Sequence, residues 1–125
     1  YLSHSTSAPS TISQHAAITA LTGPQEDMQV MKEAFEKRRD HLVERMNRIE
    51  GVSCIKPEGA FYLFPRTLEA DDRAFCERAK KYDLLLVPGS DFGAPGHMRI
   101  SYCVKTETVE KALPLFKKLA EEYKI

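Results

Sequence analysis

The spacing of apolar residues predicts two helices at the start of the chain. The first covers residues 7–22, with Ser7 as its N-cap, Pro9 just inside its start and Gly23 at its end. A second helix of about 25 residues begins at Pro24 and ends before Gly51, which gives a length of about 37 Å at 1.5 Å per residue. Its apolar stripe consists of Met28, Met31, Phe35, Leu42, Met46 and Ile49. A helix this long in so small a chain predicts a strut that reaches beyond one compact core.

After Gly51 the pattern changes to short apolar runs that predict strands. Residues 52–56 and 60–64 flank a turn, Pro57-Glu58-Gly59, in which glycine supplies a positive φ. Residues 84–87 predict a buried strand, and residues 98–104 predict the last one. In that strand, alternation places Met98, Ile100, Tyr102 and Val104 on one face, and Arg99, Ser101 and Cys103 on the other.

Two further helices are predicted among these strands. Asp71 or Asp72 caps the third helix, and Thr106 caps the last, which contains Pro114. Their apolar positions are Phe75, Cys76, Ala79 and Tyr82 in the third helix, and Val109, Leu113, Phe116, Ala120 and Tyr123 in the last. The order helix, helix, β, β, α, β, β, α predicts an α+β fold: a small, mainly antiparallel sheet with helices packed on one face, plus the long N-terminal helix.

Charge and composition exclude several classes of function. The 125 residues carry 18 basic and 18 acidic side chains, so the formal net charge is zero. Nucleic acids and anionic membranes bind clustered Lys and Arg, so neither is predicted as a partner. The longest apolar runs, 60–64 and 84–87, are too short to span a bilayer. The chain begins without a signal peptide, and without an initiator Met, which predicts a piece of a longer protein.

Cysteine and histidine spacing predicts neither disulfides nor a metal site. Cys54, Cys76 and Cys103 are odd in number and widely spaced, which indicates packing residues and predicts a reducing, cytoplasmic location. The four histidines lack the spacing of metal ligands.

Arg99 is the most informative candidate for chemistry. A guanidinium is a planar fork that donates two parallel hydrogen bonds to a carboxylate, so Arg99 suits a carboxylate clamp. From spacing alone, two alternatives stay open: a solvent-facing arginine, or an ion pair with Asp71, Asp72 or Asp91.

Two further segments are weaker candidates. Phe61 and Tyr62, after Gly59-Ala60, line a ligand pocket or else fill the core. Residues 87–93, Val-Pro-Gly-Ser-Asp-Phe-Gly, lack the glycine spacing of nucleotide-binding loops, which favours a tight structural turn.

Several motifs occur together in one order along the chain. They are Ser-Thr-Ser-Ala-Pro at 5–9, Ala-Leu-Thr-Gly at 20–23, Arg-Arg-Asp at 38–40, Lys-Pro-Glu-Gly-Ala-Phe-Tyr at 56–62, the 87–93 loop, and Gly-His-Met-Arg-Ile-Ser at 96–101. Over essentially all 125 residues this order resembles the C-terminal part of class I aminotransferases. The most similar branch is the aspartate aminotransferase-like group of fold type I pyridoxal-phosphate enzymes.

The resemblance implies a role for each candidate residue. Arg99 matches the arginine that holds the substrate α-carboxylate, and Phe61 matches a pocket aromatic with Tyr62 beside it. Thr6 and Ser7 fall where the family's chain runs along the dimer interface. By the same resemblance, residues 1–23 pack at the interface with the large domain and the partner subunit, and residues 24–125 form the small C-terminal domain.

The resemblance also implies what this chain lacks. The family binds pyridoxal 5'-phosphate through a lysine in a Ser-x-x-Lys or Ser-x-Ser-Lys motif. The one such spacing here, Ser53-Cys54-Ile55-Lys56, does not match it, because Lys56 opens the Lys-Pro-Glu-Gly-Ala-Phe-Tyr motif that resembles a different part of the family, and the other lysines lie in helices, turns or charged runs. The full-length protein is therefore expected to be a homodimeric aminotransferase acting on amino acids and 2-oxo acids, and the isolated chain to be inactive. A lyase or decarboxylase on the same fold, and a stand-alone ligand-binding domain, are the alternatives.

Overall fold

The computed structural model describes residues 9–123 and divides the chain into two compact units. The first is Tyr1–Lys32 and the second Glu33–Ile125. The boundary predicted after residue 23 from the resemblance stays a prediction.

In the first unit, helix α1 covers Thr11–Thr22. Its N-cap is Ser10, whose hydroxyl accepts a hydrogen bond from the Ser13 amide at 3.3 Å. The prediction that Pro9 lies inside the helix is wrong, because Ser10 satisfies an amide that the first turn leaves unpaired. The predicted cap Ser7 lies outside the described residues. No residue of α1 is buried, so this helix has no core of its own.

Helix α2 covers Glu26–Met46, 21 residues, and is shorter at both ends than predicted. Turns follow Met46 and lead to Gly51, which has a φ of 83°. Along the predicted apolar stripe, the later residues Leu42 and Met46 are buried, whereas Met28 and Met31 are more than half exposed. The stripe is therefore covered only towards the C-terminal end of the helix.

In the second unit, three strands form an antiparallel sheet in the order β1-β3-β2. They are β1 Tyr62–Leu63, β2 Val87–Pro88 and β3 Met98–Ser101. Tyr62 pairs with Ser101 on one side of β3, and Val87 pairs with Arg99 on the other. The antiparallel sheet confirms the α+β prediction, with Arg99 on the central strand.

The strand predicted at residues 52–56 is not formed. The side chain of Asn47 takes both backbone groups of Cys54: its Oδ1 accepts from the Cys54 amide at 2.8 Å, and its Nδ2 donates to the Cys54 carbonyl at 2.9 Å. A side chain thus replaces the partner strand that the prediction required.

The turn before β1 also differs from the prediction. The residue with positive φ is Ala60, at 57°, and not Gly59. The hydroxyl of Tyr102, whose side chain is buried, donates to the Ala60 carbonyl at 2.9 Å. This bond connects the turn to the residue that directly follows β3.

The strand predicted at residues 84–87 is largely replaced by irregular chain. Leu84 is buried, but Leu85 is 85% exposed, and β2 begins only at Val87. Strand β3 ends at Ser101 and not at Val104. The predicted alternation is confirmed for Met98, Ile100 and Tyr102, which are buried, but it is wrong for Val104, which is 37% exposed.

Two helices complete the second unit: α3 Asp72–Ala79 and α4 Thr106–Glu121. Asp71 is the N-cap of α3, as predicted, and accepts from the amides of Arg73 and Ala74. The cap predicted at Thr106 is wrong, because the cap position is Lys105 and its side chain makes no capping hydrogen bond. Helix α3 packs against β2 and α4. The buried core of the unit includes Leu42, Met46, Leu63, Phe75, Met98, Tyr102, Val109, Leu113, Phe116 and Leu119.

The cysteines divide between core and surface. Cys54 and Cys76 are buried, and burial raises the pKa of each thiol to about 11, as expected of inert packing residues. Cys103 is exposed, so the packing prediction is wrong for it. It lies two residues beyond the end of β3, with its Sγ 2.9 Å from the Ser101 hydroxyl.

None of the helices in the described part of the chain is long and apolar enough to cross a lipid bilayer.

Candidate functional site

Arg99 lies on the central strand of the sheet, on the face that points away from the core. It is half-buried, and the side chains of its neighbours Met98 and Ile100 enter the core on the other face. Pairing with Val87 on β2 fixes the backbone of Arg99. The strand therefore presents this guanidinium at a fixed position on the outer face.

Two aromatic rings contact the Arg99 guanidinium. Its Cζ lies 4.5 Å from the ring centroid of Tyr62 and 4.4 Å from that of Phe92. Both distances are within the range of cation–π attraction. The ring faces restrain the cation, and its five N–H donors suit a planar carboxylate.

The internal ion pairs left open for Arg99 are not formed. Asp71 caps α3, Asp72 accepts hydrogen bonds from Ser90 and Gly96, and Asp91 pairs with Arg73. Of the ion pairs found within residues 9–123, none includes Arg99. The guanidinium is thus held by aromatic contacts.

Phe61 and Tyr62 lie at the surface beside Arg99 and do not fill the core. Phe61 is 37% exposed, and its ring centroid is 4.6 Å from that of Tyr62 and 6.1 Å from that of Phe35. The structure thus brings Tyr62 against Arg99 directly and Phe61 against Tyr62. The assignment of these three residues to substrate stays a prediction.

Phe92 is the residue of this cluster that sequence reasoning missed. It is half exposed and belongs to a short 3-10 helix, Gly89–Phe92, within the loop that precedes β3. Its ring also meets that of Phe64 edge-on, at 6.1 Å between centroids. The available signal was an apolar aromatic residue in a polar, glycine-bounded loop that leads directly into the Arg99 strand.

The loop from Gly89 to His97, named here the 89–97 loop, closes on itself through its backbone. The Gly89 amide donates to the His97 carbonyl at 2.7 Å, and the Ala94 amide donates to the Gly89 carbonyl at 3.0 Å. Gly93 has a φ of 74°, the left-handed conformation that favours glycine. These features agree with the tight structural turn predicted for residues 87–93.

A buried carboxylate lies behind this loop. Asp72, in the first turn of α3, is 3% exposed and accepts from the Ser90 amide at 2.8 Å and the Gly96 amide at 3.1 Å. The Ser90 hydroxyl donates to the same carboxylate at 2.8 and 2.9 Å. Burial alone would raise the pKa of Asp72, but these hydrogen bonds and the charge of Arg73 outweigh it and hold the pKa below the ordinary value of 3.8.

The Asp72 pKa predicts an acid-dependent contribution to stability. Because the folded chain holds this pKa below its unfolded value, the unfolded chain binds more protons in acid. The contribution is fully present above about pH 4 and is lost as pH falls through the folded pKa. We therefore expect the difference in free energy of unfolding between wild type and Asp72→Asn to shrink from pH 7 to pH 3 in denaturant titrations. A difference that stays constant over this range contradicts the assignment.

Three clefts of about 350–460 Å³ occur on the second unit, and none of these three is lined by Arg99, Phe61 or Tyr62. The described part of the chain holds no group of three or more His, Cys, Asp or Glu side chains able to bind a metal ion. Every lysine within residues 9–123 is exposed.

Comparisons of sequence identify the family and several relatives of this chain. The profile of the aminotransferase class I and II family matches residues 2–115. An aspartate aminotransferase of Geobacillus stearothermophilus is 43% identical, over 89% of this chain and 30% of that protein. One of Bacillus subtilis is 40% identical, over 97% of this chain and 33% of that protein. The chain thus spans about a third of the length of these relatives.

Solved structures agree with the sequence comparisons. An alanine aminotransferase from Pyrococcus furiosus superposes with a TM-score of 0.85 at 36% identity, covering 92% of this chain and 31% of that one. The aspartate aminotransferase from Rhizobium meliloti gives a TM-score of 0.83 at 35% identity, over 95% of this chain and 33% of that one. These matches confirm the resemblance stated from the motifs. By both sequence and fold, the chain belongs to the class I and II aminotransferases.

Proposed function

We propose that this chain is the small C-terminal domain of a pyridoxal-phosphate-dependent aminotransferase and that Arg99 binds the α-carboxylate of its substrate. The observation that carries the proposal is the Arg99 guanidinium, held by Tyr62 and Phe92 with no ion-pair partner within residues 9–123. The names of the relatives make L-aspartate the first amino donor to test.

Arg99 would orient the substrate as well as attract it. Two parallel N–H···O bonds fix the plane of a carboxylate, which a single point charge does not. The rings of Tyr62 and Phe92 restrain the guanidinium, so less freedom is lost when substrate binds. Phe61, whose ring lies beside that of Tyr62 at a tilted angle, adds apolar surface next to the bound carboxylate.

The described residues do not themselves fit pyridoxal phosphate. When bound, this cofactor accepts the amino group and withdraws electrons from the substrate, and it is attached to a desolvated lysine amine. Each described lysine is exposed, which does not provide that environment. We therefore assign the cofactor to the part of the full-length protein outside this chain.

Residues 1–23 are proposed to pack against the large domain and the partner subunit of a homodimer. Ile12, Ile18 and Leu21 of α1 are exposed, although a helix gains stability in water by burying its apolar face. Thr6 and Ser7, predicted at the dimer interface, lie outside the described residues. Unpaired Cys54, Cys76 and Cys103 support the proposed cytoplasmic location.

The proposal is tested on the full-length protein with pyridoxal phosphate, L-aspartate and 2-oxoglutarate. We expect equal amounts of glutamate and oxaloacetate, with residues 1–125 alone inactive. Release of ammonia without glutamate would identify a lyase instead. Catalysis by the isolated chain would contradict the assignment of the cofactor to another part of the protein.

A further inference from the structure

Asp72 is the one charged residue that is buried within residues 9–123. Its carboxylate faces hydrogen-bond donors from the 89–97 loop, which lies 18 to 24 residues further along the chain. A buried carboxylate is costly unless such donors compensate it, so its place behind this loop requires an explanation.

The hydrogen bonds of Asp72 join the two ends of the 89–97 loop. Ser90 lies one residue after the start of the loop, and Gly96 lies one residue before its end. Between them Phe92 contacts the Arg99 guanidinium, and the chain enters β3 directly after the loop. The Asp72 carboxylate therefore binds both ends of the loop. One end leads to Phe92, whose ring contacts Arg99, and the other leads into β3, which carries Arg99.

Asp72 is itself rigidly mounted. It lies in the first turn of α3, where Asp71 caps the helix, and Phe75, Cys76 and Ala79 of the same helix are buried in the core. Rigid supporting elements hold a binding group in place more accurately than a loop does alone.

We propose that Asp72 is a positioning residue for substrate binding: it holds the 89–97 loop so that Phe92 and Arg99 keep the guanidinium directed at the substrate carboxylate. The inference rests on the proposed function. Asp72 acts through Arg99 and does not touch the substrate.

The hydrogen bonds of Asp72 depend on the charge of its carboxylate. The Ser90 and Gly96 amides both donate to Oδ2, and among the described residues Oδ1 contacts only the Ser90 hydroxyl. Hydrogen bonds to an ionised acceptor are about twice as strong as those to a neutral one. Asparagine has nearly the same shape, but its amide oxygen is neutral, so Asp72→Asn weakens the contact with both ends of the loop with little change in volume.

Asp91 provides a matched control. It pairs with Arg73 and so also connects α3 to the 89–97 loop, but the Arg73 and Asp91 side chains are 63% and 42% exposed. Exposed pairs contribute little to stability or rigidity. Asp91→Asn removes a connection between the same two elements without touching the buried carboxylate.

The experiment is a double-mutant cycle on the full-length holoenzyme with L-aspartate as donor. Asp72→Asn is expected to lower kcat/KM about tenfold, mainly through a higher KM, and Asp91→Asn to leave it within about twofold. In the Arg99→Lys background Asp72→Asn is expected to have no further effect, since both changes remove the same interaction. The dissociation constant of succinate, measured by calorimetry on the same variants, is expected to follow the same pattern.

Two results overturn the inference: kcat/KM of Asp72→Asn within twofold of wild type, or a full tenfold loss on top of Arg99→Lys. If Asp72→Asn fails to fold, Ser90→Ala is the second variant, because it removes one of the donors to Asp72. It is expected to lower kcat/KM about threefold in the wild-type background and to have no effect in the Arg99→Lys background. A threefold loss of kcat/KM that persists in the Arg99→Lys background also overturns the inference. A wild type that binds succinate without transferring amino groups contradicts the proposed function alone, and the succinate constants still decide the role of Asp72. A wild type that does neither overturns both.

Discussion

Replacing Arg99 with lysine in the full-length protein is expected to lower kcat/KM for α-amino acids by about 100-fold, or about 2.7 kcal/mol. Lysine keeps the positive charge, but its ammonium cannot donate two parallel hydrogen bonds to one carboxylate. It also loses the planar group that lies within 4.5 Å of the Tyr62 ring centroid and 4.4 Å of that of Phe92. Steady-state kinetics with L-aspartate at several 2-oxoglutarate concentrations measures the effect.

A second arginine substitution shows whether the loss of kcat/KM is specific to Arg99. Arg48→Lys is the matched control, since Arg48 is exposed and pairs with Glu44 one helical turn away; we expect kcat/KM within about twofold of wild type. The preference for an α-amino acid over the amine without its carboxylate is expected to fall with Arg99→Lys and to stay unchanged with Arg48→Lys. An unchanged kcat/KM for α-amino acids in Arg99→Lys contradicts the assignment of Arg99.

Local patterns predicted the central strand and its arginine well. Alternation of apolar and polar residues correctly placed Met98, Ile100 and Tyr102 in the core and Arg99 on the other face. This succeeds because burial on one side of an antiparallel sheet imposes a period of two on the sequence itself. The cap at Asp71 followed equally well, since a capping carboxylate bonds to amides only two or three residues away.

Contacts between distant residues account for most of the failures. The strand predicted at residues 52–56 is replaced by hydrogen bonds from Asn47, seven residues away, and the turn before β1 depends on Tyr102, 42 residues from Ala60. Neither contact leaves a periodic trace in the sequence. A backbone amide or carbonyl forms a hydrogen bond with whichever group the fold brings near it. The secondary-structure propensity of a segment cannot specify that group.

The residues of the candidate site also form two groups: those that the motifs assign and those that only the folded structure brings together. The resemblance assigned Arg99, Phe61 and Tyr62, because motif order along the chain carries that information. It did not assign Phe92 or Asp72, which act through contacts that only the folded loop creates. Asp72 was predicted as a helix cap or an ion-pair partner, whereas it is a buried acceptor for the 89–97 loop.

Gly89→Ala is expected to be the most destabilising single-methyl change in this loop. A Cβ at Gly89 would lie 2.3 Å from the Ala94 carbonyl oxygen and 2.8 Å from both Cβ and carbonyl oxygen of His97. Two of these three atoms belong to the backbone, and the Gly89 amide and carbonyl are themselves bonded to His97 and Ala94. The loop therefore has to open to admit the methyl group, at a cost of about 2–3 kcal/mol.

Gly59 and Gly93 provide controls for the destabilisation expected of Gly89→Ala. Gly59 has no heavy atom within 4 Å of the added Cβ, so Gly59→Ala is expected to leave the thermal midpoint of the full-length protein unchanged. Gly93 has equally open space but a φ of 74°, so Gly93→Ala is expected to cost about 1 kcal/mol through backbone strain alone. The thermal midpoint is therefore expected to be highest for Gly59→Ala, lower for Gly93→Ala and lowest for Gly89→Ala. A midpoint for Gly89→Ala equal to that of Gly59→Ala contradicts the close packing of the loop, and with it the geometry that holds Phe92 against Arg99.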